Sequence, residues 1–354
     1  EAEDLELIPA LEAAGINPLP IWLTFRDREP QEPFLWAEDS ARGNVEHGLY
    51  HPRLQEVLLD LASQRGVTIW RPAALESLQV FDDHVELQVG RDGESRVVRA
   101  RIAVGADGPR SMVRTSIGIE QRKDPVHHRF AGLLIEDASL DQSTALAGLM
   151  DGGRFFILPQ GDGRARLYAA LLPDRMEPVT RDRTGKTLIA AVARYLPEGT
   201  LAGATVAGPQ GVFSAADTWI DSGSSGRVTL VGDAAGTSDP SLGHGMALSL
   251  RDARELAGAI RKDGLGPEAL ASFGKRRQGY LETLRMYGRW MAELWLEAGP
   301  EADARRARYM AARASDPDIA GFAQMTSRGP RDLVATDEIR SRFFGETVID
   351  SEAD

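Results

Sequence analysis

Cysteine is absent from all 354 residues. That excludes disulfides, cysteine nucleophiles and thiolate metal sites together. Histidine is scarce. The six (His47, His51, His84, His127, His128 and His244) form no H-x-x-x-H or H-E-x-x-H pattern. The adjacent pair His127-His128 could touch a metal but reads as an ordinary surface turn, and no metal site is expected. No apolar run is long enough to span a membrane, and no signal peptide is evident, so a cytoplasmic location is the expectation. Positive charge is in deficit: 41 Lys and Arg stand against 53 Asp and Glu, a formal net charge of −12. Such acidity argues against nucleic acid or an anionic membrane as the main partner. The initiator Met is missing as well. The chain opens on Glu1-Ala2-Glu3-Asp4, which reads as an internal start.

What is present is an ordinary globular composition. With 42% hydrophobic residues, the chain has material for one large domain or two closely packed ones. Pro52 suits the first turn of a helix. Leu54, Val57, Leu58 and Leu61 then recur at helical spacing until Gly66. Val67 to Trp70 reads as a short strand. Val85, Leu87 and Val89 alternate with polar residues, and Val98, Ala100 and Ile102 do so again after the Asp92-Gly93 turn, which predicts a β-hairpin. From about Pro125 to Ile220 short apolar runs recur between Gly, Asp and Pro: Phe155 to Leu158, Leu167 to Leu172, Val212-Phe213. One amphipathic helix, about Thr187 to Tyr195, interrupts them. The expectation is a mostly antiparallel sheet with a helix over it. Phe155, Phe156, Phe213 and Trp219 read as core of that region, with a pocket lining as the alternative.

Two motifs carry the chemistry. In the first, the buried strand Ile102-Ala103-Val104 ends at Gly105 and leads to Asp107-Gly108, then Ser111 and Arg114. A carboxylate at a strand's C-terminal end can accept hydrogen bonds from sugar hydroxyls. Glycine admits close approach to the backbone, and Ser111 can cap the following turn. Taken alone, the stretch reads equally as a strand, a turn and a surface helix. In the second motif, the strand Val228 to Val231 runs into a loop of small residues from Gly232 to Gly245 and then a helix. Asp233 sits at the strand tip. Gly243 and Gly245 stand where free N–H groups and the positive dipole end of the helix suit an electron-rich ligand. Met246, Leu250, Ala253, Ala257 and Ile260 lie on one face of that helix. A second helix follows through Tyr280, Leu284, Tyr287, Met291 and Trp295.

Val104 to Arg114 resembles the Asp-Gly motif of flavoprotein monooxygenases of the p-hydroxybenzoate hydroxylase class. Gly232-Asp233, Pro240, Gly243-x-Gly245 and Asp252-Ala253 resemble their Gly-Asp motif at matching spacing. Arg53-Leu54 resembles the family's Arg-Leu segment near the flavin, although an exposed arginine at a helix start is the plainer reading. The resemblance implies an α/β fold with α+β elements: a Rossmann-like FAD-binding domain interleaved with a mainly antiparallel substrate-binding sheet, followed by C-terminal helices. The implied stretches are 1–124 for FAD binding, 125–222 for the sheet, 223–300 for the return to FAD binding, and 301–354 for a helical or irregular tail. It also implies a cofactor site of Arg53, Asp107, Gly232, Asp233, Pro240, Gly243, His244, Gly245 and Met246. Asp233 would hold the ribityl chain. Asp107 would lie near FAD and bear on NAD(P)H use. The Pro240 to Met246 loop would border the isoalloxazine ring.

The implied reaction is NAD(P)H- and O₂-dependent hydroxylation or epoxidation of a small organic substrate through a flavin C4a-hydroperoxide. No acid–base pair is singled out, because the cofactor carries the hard chemistry. The alternative is an FAD-dependent reductase of the geranylgeranyl-reductase type, whose members carry Gly-Asp-Ala-Ala-Gly, as Gly232 to Gly236 do here. There are three departures from the family. The strand–Gly-x-Gly-x-x-Gly–helix that binds the ADP half of FAD does not occur in these residues, so such a segment is expected before Glu1. Gly236 stands where many aromatic hydroxylases have His, and Ala247 where many have Asn.

Overall fold

The computed structural model describes residues 1–35, 45–297, 299–323, 329 and 335–346. Its chain forms two compact units, each assembled from three separate segments. One contains Glu1–Ala10, Gln55–Pro125 and Ala216–Arg285; the other contains Leu11–Leu54, Val126–Ala215 and Met286–Asp354.

The first unit is built on a small sheet in which Val228–Leu230 lies between Ser224–Ser225 and Ala103–Gly105. Val228–Leu230 runs parallel to Ala103–Gly105, with Leu230 opposite Gly105. Val228, Thr229 and Leu230 are all buried, as expected of a strand covered on both faces. Their neighbours are Leu78, Val85, Val113, Ile220, Ala234 and Ala235. Beside them stands an antiparallel meander of Ala74–Val80, Val85–Arg91 and Glu94–Ala100. The predicted hairpin is its second turn, where Asp92 and Gly93 both have positive φ (54° and 79°), the backbone of a type I′ turn. Its first strand went unread because Ala74–Val80 buries only Leu78 fully and shows no clean alternation. Val67 to Trp70, expected as a strand, pairs with no strand among the described residues; Val67 is 55% exposed and its amide donates to the Ala62 carbonyl at 3.0 Å, closing the preceding helix. The helices Gly245–Asp263 and Pro267–Trp295 pack together through Leu256, Ala259, Ala269, Leu270 and Phe273.

The second unit is a nine-stranded sheet, antiparallel except where Thr144–Met150 runs parallel to Ile21–Arg26. Period-two alternation sends neighbouring side chains to opposite faces. Phe155, Leu133, Ile157 and Leu167 pack under the helices Pro173–Arg181 and Lys186–Ala193 through Met176, Val179, Leu188 and Val192. Phe130, Phe156 and Ala170 face the other way and meet Trp22, Tyr168 and Leu296. Phe155 and Phe156 are therefore core, as read, whereas Phe213 is 44% exposed and Trp219 belongs to the first unit. The tail is helical over Pro300–Ser315, Pro317–Ala323 and Asp337–Phe343. Its aromatics Tyr309, Phe322 and Phe343 pack with Tyr287 and Trp290; residues 324–328, 330–334 and 347–354 lie outside the described residues.

The units divide differently from the stretches expected. Residues 11–54 belong with the sheet because Ile21–Arg26 supplies one of its inner strands. Residues 286–297 join the same unit because Leu296 and Ala292 pack on its second face. His127-His128 is no surface turn. His128 is fully buried, its carbonyl accepts the Ala215 amide, and the two rings are 4.5 Å apart.

Candidate functional site

The parallel pairing of Val228–Leu230 with Ala103–Gly105 brings the two motifs side by side, and both Asp107 and Asp233 follow the C-terminal ends of these strands. That end of a parallel sheet is where open α/β folds place their ligands. Two contacts tie the motifs together. The Val231 amide donates to the Gly105 carbonyl at 3.0 Å, and the buried Arg114 donates to the carbonyls of Ala234 at 2.8 Å and Pro109 at 3.0 Å.

The two aspartates are used differently. The Asp107 carboxylate accepts from Ser111 Oγ at 2.6 Å and from the amides of Met112 at 2.7 Å and Val113 at 3.1 Å. Partial burial pushes its carboxyl up, but these bonds together hold it below the ordinary value. Ser111 in turn caps the helix Met112–Ser116 by accepting from the Arg114 amide. Asp107 is thus largely occupied with its own helix start. Asp233 is exposed; its backbone carbonyl accepts the Gly236 amide at 3.3 Å, but its carboxylate accepts no hydrogen bond from any described residue. Desolvation pushes its carboxyl up against the opposing pull of Arg277. A carboxylate with vacant lone pairs at a strand end is the acceptor that ligand hydroxyls need.

Gly232 turns the chain out of the strand with φ 55°. Its amide donates to the buried Asp252 carboxylate at 2.8 Å, and a Cβ there would come within 2.9 Å of Ser249 Oγ. Gly236 has φ 145°, and a Cβ on it would stand 2.3 Å from the Thr218 carbonyl oxygen. A side chain at this position would therefore have to displace the Thr218–Trp219 backbone. Asp239 caps the single turn Pro240–Leu242, which closes on Gly243 in the left-handed region at φ 69°. Helix Gly245–Asp263 then begins after the buried His244 without a side-chain cap. Its first amides have no partner within the helix. Gly243, Gly245 and Ala247 are exposed, Met246 is 40% exposed, and the space beside both glycines is open.

The buried face of that helix differs from the one expected. Leu248, Asp252, Leu256 and Ala259 are buried, while Met246 and Ala253 are exposed. The charged Asp252 holds an inward position that a count of apolar residues passes over. Arg53 is exposed at the start of His51–Gln64 and belongs to the sheet unit, whereas Asp107, Asp233 and the Pro240 to Met246 loop share the first unit.

Sequence reading missed three further groups. Arg277 is 3% exposed and pairs with Asp252 at 2.8 Å. Tyr280 donates its hydroxyl to the other Asp252 oxygen. Asp217, 3% exposed, accepts the Asp239 amide at 2.7 Å. Burial first, then the neighbouring charges of Asp239 and Asp124, push the Asp217 carboxyl up to about 7 in spite of its bond from Asp239 and the charge of Arg285. The sheet unit has a cavity of about 1160 Å³ lined by Phe25, Met150, Arg154, Trp295, Arg306 and Met310, among others. Arg154 lies over the rings of both Phe156 and Trp295, at 4.9 and 5.3 Å.

Residues 37–273 match the FAD binding domain family, and the chain belongs to it. Among its relatives is the ubiquinone hydroxylase UbiL of Rhodospirillum rubrum, 30% identical over 259 residues that cover 71% of this chain and 56% of that protein. Digeranylgeranylglycerophospholipid reductase 1 of Methanococcoides burtonii is 27% identical over 254 residues, covering 69% of this chain and 60% of that one. The chain thus spans less than two thirds of the length of these relatives. Its fold is that of p-nitrophenol 4-monooxygenase PnpA from Pseudomonas putida, with TM-score 0.76 and 20% identity over 92% of this chain and 84% of the other.

Proposed function

We propose that this protein is an FAD-dependent monooxygenase that uses NAD(P)H and O₂ to hydroxylate or epoxidise a small organic substrate. The observation that carries the reading is the parallel pairing of Val228–Leu230 with Ala103–Gly105. It sets Asp233, with its vacant acceptor oxygens, at the strand end from which the glycine-rich loop departs. The residues present fit a flavin. Asp233 would accept from the ribityl hydroxyls, and the open space beside Gly243 and Gly245 would admit a planar ring against the backbone. The amides of Gly245 and Met246, uncapped by a side chain and with the helix dipole behind them, would stabilise negative charge on a ring edge. Gly232, Pro240 and His244 shape the loop, and Asp107 shapes the neighbouring helix start. Arg53 is assigned to the cofactor on the resemblance alone.

When bound, FAD supplies the hydride acceptor for NAD(P)H and the site of O₂ activation. The protein's part is to bind, to orient and to exclude water. The unit of residues 1–10, 55–125 and 216–285 is proposed to serve the cofactor and the sheet unit the substrate, in the cytoplasm. The cavity in the sheet unit is of the size that takes small organic molecules.

The monooxygenase reading is preferred to a reductase because the relatives include a hydroxylase at higher identity and the fold is shared with a monooxygenase. The test is an absorbance spectrum of the purified full-length protein, then NAD(P)H oxidation with candidate substrates in air and under argon. Bound flavin, O₂-dependent oxidation and an oxygenated product are expected. A protein that purifies without flavin and takes none up defeats the reading. Substrate reduction proceeding equally under argon would establish the reductase instead.

A further inference from the structure

Gly232 and Asp233 form a short turn, and a turn of three residues cannot by itself fix where a side chain points. Their surroundings supply what the turn lacks. Both backbone polar groups of Gly232 are taken: its amide donates to Asp252 Oδ2 at 2.8 Å, and its carbonyl accepts from Arg277 Nη2 at 3.3 Å. Arg277 reaches one turn further and donates to the Ala235 carbonyl at 3.4 Å. Its Nε donates to Asp252 Oδ2 at 2.8 Å, closing a ring of bonds around the turn. Tyr280 donates to Asp252 Oδ1 from the next helical turn, and Arg251 lies 4.2 Å over the Tyr280 ring. Asp252 and Arg277 are 0% and 3% exposed.

The residue types matter. Only a planar guanidinium presents donors in a rigid fork that can hold a carboxylate and two carbonyls together. Only a carboxylate can accept from an amide, a guanidinium and a phenol at once. Asp252 and Arg277 come from different helices, Gly245–Asp263 and Pro267–Trp295. A buried ion pair is seldom the most stable filling for such a place, since well-packed apolar residues commonly do as well or better. Its retention here needs another account.

We infer that Asp252 and Arg277 are positioning residues: they clamp the Gly232–Asp233 turn between the two helices so that the Asp233 carboxylate is held in its ligand-accepting orientation before the cofactor arrives. The inference rests on the proposed flavin site and adds to it that affinity is set through residues that never touch FAD. Tyr280 completes the clamp. Burial and the adjacent Asp252 charge push its hydroxyl up, so it remains a donor.

The experiment uses the full-length protein and free FAD as the probe. Asp252→Asn removes the charge and one acceptor. Arg277→Lys keeps the charge but loses the fork. Asp233→Ala tests the underlying site. Leu256→Ala, in the same helix and buried at 6% exposure, serves as a control matched for lost thermal stability. Asp252→Asn and Arg277→Lys should each weaken FAD binding by roughly tenfold, the effect of one charged hydrogen bond. Leu256→Ala, at equal loss of melting temperature, should leave FAD affinity near that of the parent. In the flavin-free protein, amide exchange at Gly232 should quicken in Asp252→Asn but not in Leu256→Ala. If Asp252→Asn fails to fold, Arg277→Lys carries the comparison. Wild-type FAD affinity in a folded clamp variant overturns the inference, as does a loss no larger than that of Leu256→Ala. Unchanged affinity in Asp233→Ala overturns the flavin placement itself, and the Gly232 exchange rates still report whether the clamp exists.

Discussion

At the scale of single residues, the two aspartates of the motifs have separable duties. The Asp107 carboxylate accepts three bonds from its own helix start, whereas the Asp233 carboxylate accepts none from the described residues. A charge-assisted bond contributes about 1.5–3 kcal/mol, so Asp233→Ala should weaken FAD binding roughly ten- to a hundredfold with little change in the melting temperature. Asp107→Ala should do the converse, leaving the Met112 and Val113 amides without their acceptor at a cost of about 1–3 kcal/mol, with a smaller effect on FAD. Titration of both variants beside thermal melts decides the matter, and reversed effects would exchange the two roles. Gly236 is a sharper case. With the Thr218 carbonyl oxygen 2.3 Å from where its Cβ would lie, Gly236→His cannot be accommodated without displacing the chain at 218–219. The variant should lose stability, read as a lower melting temperature, and an unchanged melt would show that this stretch gives way freely. Both aspartates were legible because each follows an apolar run and a glycine, although only Val228–Leu230 is buried throughout; Val104, expected to be buried, is 42% exposed. Arg277 was not: in Lys275-Arg276-Arg277 it reads as one cation of a solvated run, and only the three-dimensional packing shows that it alone of the three is buried.

At the scale of elements, the loop from Gly236 to Gly243 is held from outside itself. The Thr218 amide donates to the Thr237 carbonyl at 2.9 Å, the Thr237 amide returns a bond to Thr218 Oγ1 at 2.9 Å, and Asp217 accepts the Asp239 amide. The loop's glycines could be read in the sequence, but this brace could not, because it comes from a segment with no motif. Asp217 makes the brace sensitive to pH. Its carboxyl is raised to about 7 in the folded protein against 3.8 in the unfolded chain. A raised carboxyl favours the protonated folded state, so its contribution is complete below about pH 4 and is lost as pH rises towards 7. Three units correspond to an upper bound of about 4 kcal/mol. Asp217→Asn keeps an acceptor for the Asp239 amide without the buried charge. It should therefore melt higher than the parent at pH 8 and close to it at pH 4. Equal melting temperatures at both values would show that Asp217 ionises normally. The helix that follows yields a different test. Apart from its chain neighbours and its own helix backbone, no heavy atom of the described residues lies within 4 Å of where a Gly245 Cβ would stand. Gly245→Val should leave the circular dichroism intact while abolishing flavin-dependent turnover, and normal O₂ consumption by a folded variant would place the active site elsewhere.

At the scale of the whole molecule, the kinds of element were legible and their partners were not. The apolar runs of 125–220 announced an antiparallel sheet, yet nothing in them shows that Thr144–Met150 takes Ile21–Arg26 as a parallel neighbour from more than a hundred residues upstream. A strand advertises its faces through alternation but carries no label for its edges. Hence contiguous stretches were a poor guide to units that are each built from three segments. This interleaving has a testable consequence. A chain ending at Ala215 retains every strand of the nine-stranded sheet, because all of them lie between residues 21 and 214. It lacks Val228–Leu230, however, so Ala103–Gly105 loses its parallel partner. It also lacks Ala292 and Leu296, which cover Phe130, Phe156 and Ala170 on the second face of the sheet. An uncovered apolar face of this kind favours association and dye binding over a unique packed state. The shortened chain should keep its far-ultraviolet circular dichroism in part, enhance the fluorescence of anilinonaphthalene sulfonate, and melt without a sharp transition. If it instead melts cooperatively within a few degrees of the intact protein and binds no dye, the sheet unit is sustained by residues 1–215 alone, and the late segments add function rather than core.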